Sequence, residues 1–141
     1  VGLTLTEVLA VLSIISMLAT LAAPSLQSFI RQLQIRSCLR QSSQLFRQAQ
    51  TSAGGTYLPH RILLRNNGLF LQINQQKTWL DTPFKFTPAQ GIRFSLNQTP
   101  IFYPSRAIVP LCTLRVYQPL ARRSYCLTIS AGGRIRIQKD Q

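Results

Sequence analysis

The sequence predicts an α+β protein in which one long amino-terminal helix is followed by a head of short antiparallel β-strands. Three observations carry this. Residues 3–23 form an apolar run whose only charge is Glu7. A helical apolar period continues beyond Pro24. From Thr56 on, short β-prone segments alternate with Gly, Pro and Asn punctuation.

At about 1.5 Å of rise per residue, residues 3–23 span roughly 31 Å, the thickness of a bilayer's hydrocarbon core. A secretory signal would show a basic start and a shorter apolar core, so this run is expected to be kept as a transmembrane helix. A carboxylate near the bilayer centre costs about 2.5 to 3.5 kcal/mol on insertion scales. Glu7 therefore either has a partner inside the membrane or lies at its edge and reaches water.

Residues 24–53 read as an amphipathic continuation. Apolar residues recur at Leu26, Phe29, Ile30 and Leu33, then after a phase slip at Ile35, Cys38, Leu39, Leu45, Phe46 and Ala49. Pro24 is expected to kink this helix more than end it. Thr51-Ser52-Ala53-Gly54-Gly55 is expected to break it. Residues 54–141 then form the head. Its candidate strands are Arg61 to Arg65 and Leu69 to Asn74 around the hairpin signal Asn66-Asn67-Gly68, then Lys77 to Leu80, Phe84 to Thr87, Ile92 to Leu96 and Ile101 to Tyr103. Leu111 to Tyr117, Tyr125 to Ser130 and Arg134 to Gln138 complete the set.

All 16 Lys and Arg lie beyond Pro24, with only Asp81 and Asp140 to offset them. Such an excess is tolerable mainly beside a polyanion. All but three of the cations are Arg, whose planar fork suits bidentate phosphate contacts. Nucleic acid and an anionic membrane surface both satisfy this chemistry, and Arg that merely solubilises a small domain has the same composition.

The three cysteines cannot all pair within one chain. A hairpin register centred on Pro119 would place Cys112 opposite Cys126, and closing that loop of about 15 residues would stabilise the head by about 3 kcal/mol. A register centred two residues later would separate them. Cys38 is expected to pack against the sheet as a small apolar group.

Catalysis is not expected. The head offers one histidine, His60, in an expected loop, with Asp81 as a turn-former and Asp140 beside the end. These residues assemble no acid–base pair, no metal site and no cofactor site.

The carboxyl-terminal segment Ser130-Ala131-Gly132-Gly133-Arg134-Ile135-Arg136-Ile137-Gln138-Lys139 alternates, sending Arg134, Arg136 and Gln138 to one face and the isoleucines to the other. Arginines about 7 Å apart on one side of a strand can bridge neighbouring phosphates. Gly132 and Gly133 allow a tight turn before them. Arg122 and Arg123 fall in the preceding hairpin loop, with Arg115 nearby in sequence. An edge strand kept from aggregating by its charges would look the same. The phosphate reading selects Arg134, Arg136 and Lys139, with Arg122 and Arg123 as a second contact and Arg115 beside them.

Gly2-Leu3-Thr4-Leu5-Thr6-Glu7, the apolar run and Ala23-Pro24-Ser25 resemble the start of type IV pilins and of the pseudopilins of type II secretion. Leu3 stands where Phe or Met is usual, and Thr6 where an apolar residue is usual. The resemblance implies a pilin-like fold, cleavage by a prepilin peptidase after Gly2, methylation of the new amino terminus on Leu3, and pairing of Glu7 with the terminal amine of a neighbouring subunit. Residues 1–2 would then be the remnant of a leader, and the chain would begin within a longer precursor. Gly133-Arg134-Ile135-Arg136 likewise resembles the GRxR motif of FimT-type minor pilins in the GspH/FimT family. That likeness implies a single-pass inner-membrane protein with a periplasmic head, other pilin subunits as partners, and non-specific binding of double-stranded DNA for uptake in natural transformation. A GspH-like member would instead be a structural minor pseudopilin of the type II secretion filament.

Overall fold

The computed structural model describes residues 4–119 and 123–140. The chain divides into two units, Val1–Leu33 and Gln34–Gln141, and one helix, α1 (Leu5–Thr56), contributes to both.

In the first unit, helix formation follows from composition and from a built start. Thr4 precedes the first helical residue and Glu7 lies in the first turn. The Thr4 backbone N–H donates to Glu7 Oε2 at 2.9 Å, and the Glu7 N–H donates to Thr4 Oγ1 at 3.4 Å. This is a capping box, which satisfies two backbone donors that would otherwise lack partners. The helix continues through Pro24. The stretch is long and apolar enough to cross a membrane, and its apolar side chains, Leu9, Leu12, Ile15 and Leu18 among them, are exposed. Its hydroxyls are turned inward onto the helix. Ser13, Ser16, Thr20, Ser25 and Ser28 each donate to the carbonyl three residues earlier, at 2.7 to 2.8 Å. These polar groups are thereby satisfied without leaving their own helix, as an apolar medium would require.

In the second unit α1 buries Ile35, Cys38, Leu39, Ser42, Leu45, Phe46, Ala49 and Ala53. The expected stripe is buried from Ile35 to Ala49 and extended by Ser42 and Ala53, whereas its first part, Leu26, Phe29, Ile30 and Leu33, is exposed. The expected break at Thr51-Gly55 does not occur. Thr51 and Thr56 donate their hydroxyls back to the Arg47 and Ser52 carbonyls, and fully buried Ala53 holds the last turns against the core. The helix ends one residue before Tyr57, which takes φ +56° in the position usually given to glycine.

Two antiparallel sheets complete the unit. One has the order β3-β2-β1-β5-β6, formed by β1 (His60–Arg65), β2 (Gly68–Gln75), β3 (Thr78–Phe86), β5 (Ile101–Phe102) and β6 (Ile108–Val109). The other has the order β4-β7-β8-β9, formed by β4 (Arg93–Leu96), β7 (Cys112–Gln118), β8 (Arg123–Ile129) and β9 (Ile135–Asp140). Their inner faces supply Ile62, Leu69, Leu71, Phe102, Leu114, Val116, Leu127 and Ile129 to the core, and the Phe46 ring of α1 meets Phe102 at 6.2 Å.

The Asn66-Asn67 hairpin forms as its residues require, with φ +49° and +59°. Asn67 also ties the hairpin to β4: its amide donates to the Ile92 carbonyl and accepts from the Phe94 N–H, both at 2.7 Å. Gln76 and Lys77 adopt the same left-handed pair, so Lys77 is a turn residue and not the start of a strand. The two expected strands that follow are one, β3, which runs through Pro83. As an edge strand it needs no inward donor there. The short β6 has no counterpart in the expected set.

Candidate functional site

The turn that leads into β9 is built on Gly133. Its N–H donates to the Ser130 carbonyl at 2.9 Å, and the Arg134 N–H donates to Ser130 Oγ at 3.0 Å. Gly133 has φ +80°, and a Cβ there would overlap the Gln50 carboxamide of α1. No other residue fits without rearrangement. Gly132 has open space around it and no left-handed φ, so only one of the two motif glycines is demanded by the turn.

Register separates one of the cations expected to act together here, Lys139, from Arg136. Arg136 and Gln138 lie opposite Thr128 and Cys126 on the solvent-facing side of the sheet, and Asp140 follows them. Lys139 lies opposite Tyr125, on the side that carries Leu127 and Ile137, so it does not join the Arg136 row. It is also at the far end of the strand from Arg134, roughly 17 Å away at about 3.4 Å per residue. Arg134 precedes the strand and lines an open groove of about 1030 Å³ with Arg47, Gln50, Gly54, Pro104 and Arg106. Lys139 therefore lies on the other face from the expected Arg134–Arg136 comb.

Arg115 is partly engaged. On β7 it lies opposite Cys126, and its Nε is 3.8 Å from Asp140 Oδ2. The pair is exposed, so it steers the side chain more than it stabilises the fold. Arg123 begins β8 opposite buried Gln118 and is not a loop residue. Arg122, Gly2 and Leu3 lie outside the described residues.

The β7–β8 register excludes the possible Cys112–Cys126 disulfide. Cys112 faces Ile129 and Cys126 faces Arg115. The offset of three residues puts the two thiols on opposite faces of the sheet, because side chains alternate along a strand. All three cysteines are free. Cys38 and Cys112 are buried, Cys38 in the packed position expected of it, and burial pushes both thiols up to about 12. Cys126 is raised less, first by partial burial and then by the Asp140 carboxylate.

Other ionisable groups are used in structure. His60 is not on the surface: it opens β1 at 2% exposure, with Nδ1 2.9 Å from the Leu58 carbonyl. Asp81 is a strand residue that accepts from Gln72 Nε2 at 2.6 Å and meets Arg65 at 3.6 Å. Arg61 donates to Gln72 Oε1 at 2.7 Å and lies over Trp79, and Arg65 lies over Phe70. Two arginines of the first sheet are thus occupied by their own chain. Arg47 and Arg106 escaped the sequence reading because nothing local in helix or turn marks them as neighbours of Arg134. The only signal was that both are Arg in a head with few acids.

A long amino-terminal helix, apolar in its first half and packed in its second on antiparallel sheets, is the pilin-like α+β fold. Among solved structures it is similar to that of the minor pseudopilin EpsH from the type 2 secretion system of Vibrio cholerae, with a TM-score of 0.62 at 13% identity. The match covers 74% of this chain and 95% of that one. No protein-family model and no curated protein sequence matches the chain.

Proposed function

We infer that the chain is a non-catalytic minor subunit of a pilin-type filament, of the pseudopilin kind that serves type II secretion. The likeness to EpsH, which takes in nearly all of that protein, carries this reading. It is supported by the apolar side chains left exposed between Leu5 and Leu33, which a bilayer and then neighbouring subunits would cover. In this reading residues 3–23 cross the inner membrane, a prepilin peptidase cuts after Gly2, Leu3 is methylated, and Glu7 receives the amine of an adjacent subunit. Deleting the gene in its host and scoring protein secretion and DNA uptake in parallel is the test. Loss of secretion with normal uptake supports the pseudopilin role, and intact secretion overturns it.

A second reading, a minor pilin that binds double-stranded DNA through phosphates for uptake, is favoured by one observation. Arg47, Arg106 and Arg134 line the same groove, and none of its lining residues is acidic. Full-length protein in uncharged detergent would be titrated with duplex DNA across a salt series. Four or five phosphate contacts give a log–log slope of about −3 to −4. Absence of binding at low salt overturns this reading.

A further inference from the structure

We propose that the groove between the last turns of α1, the turn joining β5 to β6 and the Gly133-Arg134 corner is the seat for a nucleic-acid phosphodiester strand, with Arg47 and Arg106 as ligands beside Arg134. This rests on the DNA-binding reading and adds to the tail two residues remote from it in sequence.

Three exposed guanidiniums from three separate elements converge on one opening. Among the described residues none of them meets a carboxylate within 4.0 Å, whereas Arg65 and Arg115 do. Arg106 is held at φ +65°, a conformation that non-glycine residues rarely adopt. Its N–H donates to the Tyr103 carbonyl at 3.0 Å, and the Tyr103 N–H donates to the Ala107 carbonyl at 2.9 Å. The turn thus fixes where this arginine emerges, and a sparsely populated backbone held by its surroundings is a reason to look for function there.

The groove wall also has an unusual composition. Gly54 and Gly55 lie within a helix, where glycine is a poor choice, and a Cβ at either would meet only open space. Their absence of side chains keeps the wall bare, so a backbone can approach closely. The carbonyl end of α1 nearby repels anions with about half a charge, which three full positive charges outweigh. Gln50, Thr51 and the glycines present polar and small groups, which suit a sugar–phosphate backbone and give an acyl chain little to bury against.

The test uses full-length protein in uncharged detergent, a short DNA duplex, and vesicles containing phosphatidylglycerol. Arg47→Gln and Arg106→Asn should each weaken duplex binding about three- to tenfold at low salt, and together reduce the salt slope by roughly two. Gly54→Leu, which fills the groove without changing charge, should weaken binding at least about threefold. Lys77→Asn removes a distant charge from a left-handed turn and should change affinity less than twofold, separating local contact from net charge. Circular dichroism confirms that each variant is folded. If the wild type binds DNA while the three groove variants bind equally well, the groove proposal is overturned and the DNA reading stands. If the wild type binds no DNA at low salt, both fall. Vesicle binding lost in the groove variants, with no DNA binding, would replace the proposal with a lipid headgroup site.

Discussion

Thr4 and Glu7 bind each other reciprocally at the start of α1, each accepting the other's backbone N–H. The acid that looked out of place in an apolar run thus has a partner within its own chain. A capping box tolerates Gln in place of Glu. The local role and the proposed intersubunit role can therefore be separated by mutation.

Glu7→Gln should keep the helix start and membrane insertion while reducing filament incorporation, because the amide caps but carries no charge for an amine. Thr4→Ala should cost about 1 kcal/mol of cap stability and fray the first turn. Cross-linking of assembled filaments, with membrane fractionation as the control, measures incorporation, and amide hydrogen exchange in the first turn measures fraying. Normal incorporation of Glu7→Gln would remove the intersubunit role.

Gly133→Ala should destabilise the head by about 1 to 3 kcal/mol, from its left-handed φ and the collision with Gln50. Gly132→Ala should be close to neutral. Gln50→Ala combined with Gly133→Ala should recover part of the loss by removing the collision but not the backbone strain. Thermal unfolding of the wild type, Gln50→Ala, Gly133→Ala and the double variant forms a double-mutant cycle.

The cysteines predict an order of reactivity. Cys126 should react first with a thiol reagent in the folded protein, and Cys38 and Cys112 only on unfolding. Raised values mean that the reactive thiolate is lost as pH falls and gained as it rises, so at pH 8 the two buried thiols, near 12, are almost wholly protonated. Mass spectrometry after alkylation reports the order, and an intact mass two daltons low would reveal a disulfide that the register forbids.

Asn67→Ala should cost about 1 to 3 kcal/mol. It removes both bonds to the Ile92–Phe94 segment and leaves a left-handed position to a residue that resists it. Asn67→Gly should lose only the bonds and fall between alanine and wild type in denaturant unfolding.

Much of the fold was legible because its signals are local. The apolar run, the stripe from Ile35 to Ala49 and the Asn-Asn-Gly hairpin each follow from neighbouring residues. Errors arose where tertiary packing decided the outcome. Two glycines stayed helical because buried Ala53 held their turn, and Gln76-Lys77 made a tight turn without the usual residues. The capping box is also legible in Thr4-Leu5-Thr6-Glu7, since Thr and Glu stand at its spacing. The candidate site was less legible. Alternation put Arg136 and Gln138 together on one face of an edge strand. The association of Arg134 with Arg47 and Arg106 depends on contacts between segments far apart in the chain, and no periodicity encodes it. The cysteine pairing turned on a register shift of a residue or two, set by the hairpin between β7 and β8.

If the chain assembles as proposed, the hydroxyls of Ser13, Ser16, Thr20, Ser25 and Ser28 have a consequence for its packing. Each has already spent its proton on its own helix, so the stretch shows a neighbouring helix a surface with few donors left to bridge the gap. In the filament reading, such helices would meet through their apolar side chains and not through hydrogen bonds between hydroxyls. In that reading Glu7, the one charged residue of the apolar run, and the heads would set the stagger between subunits.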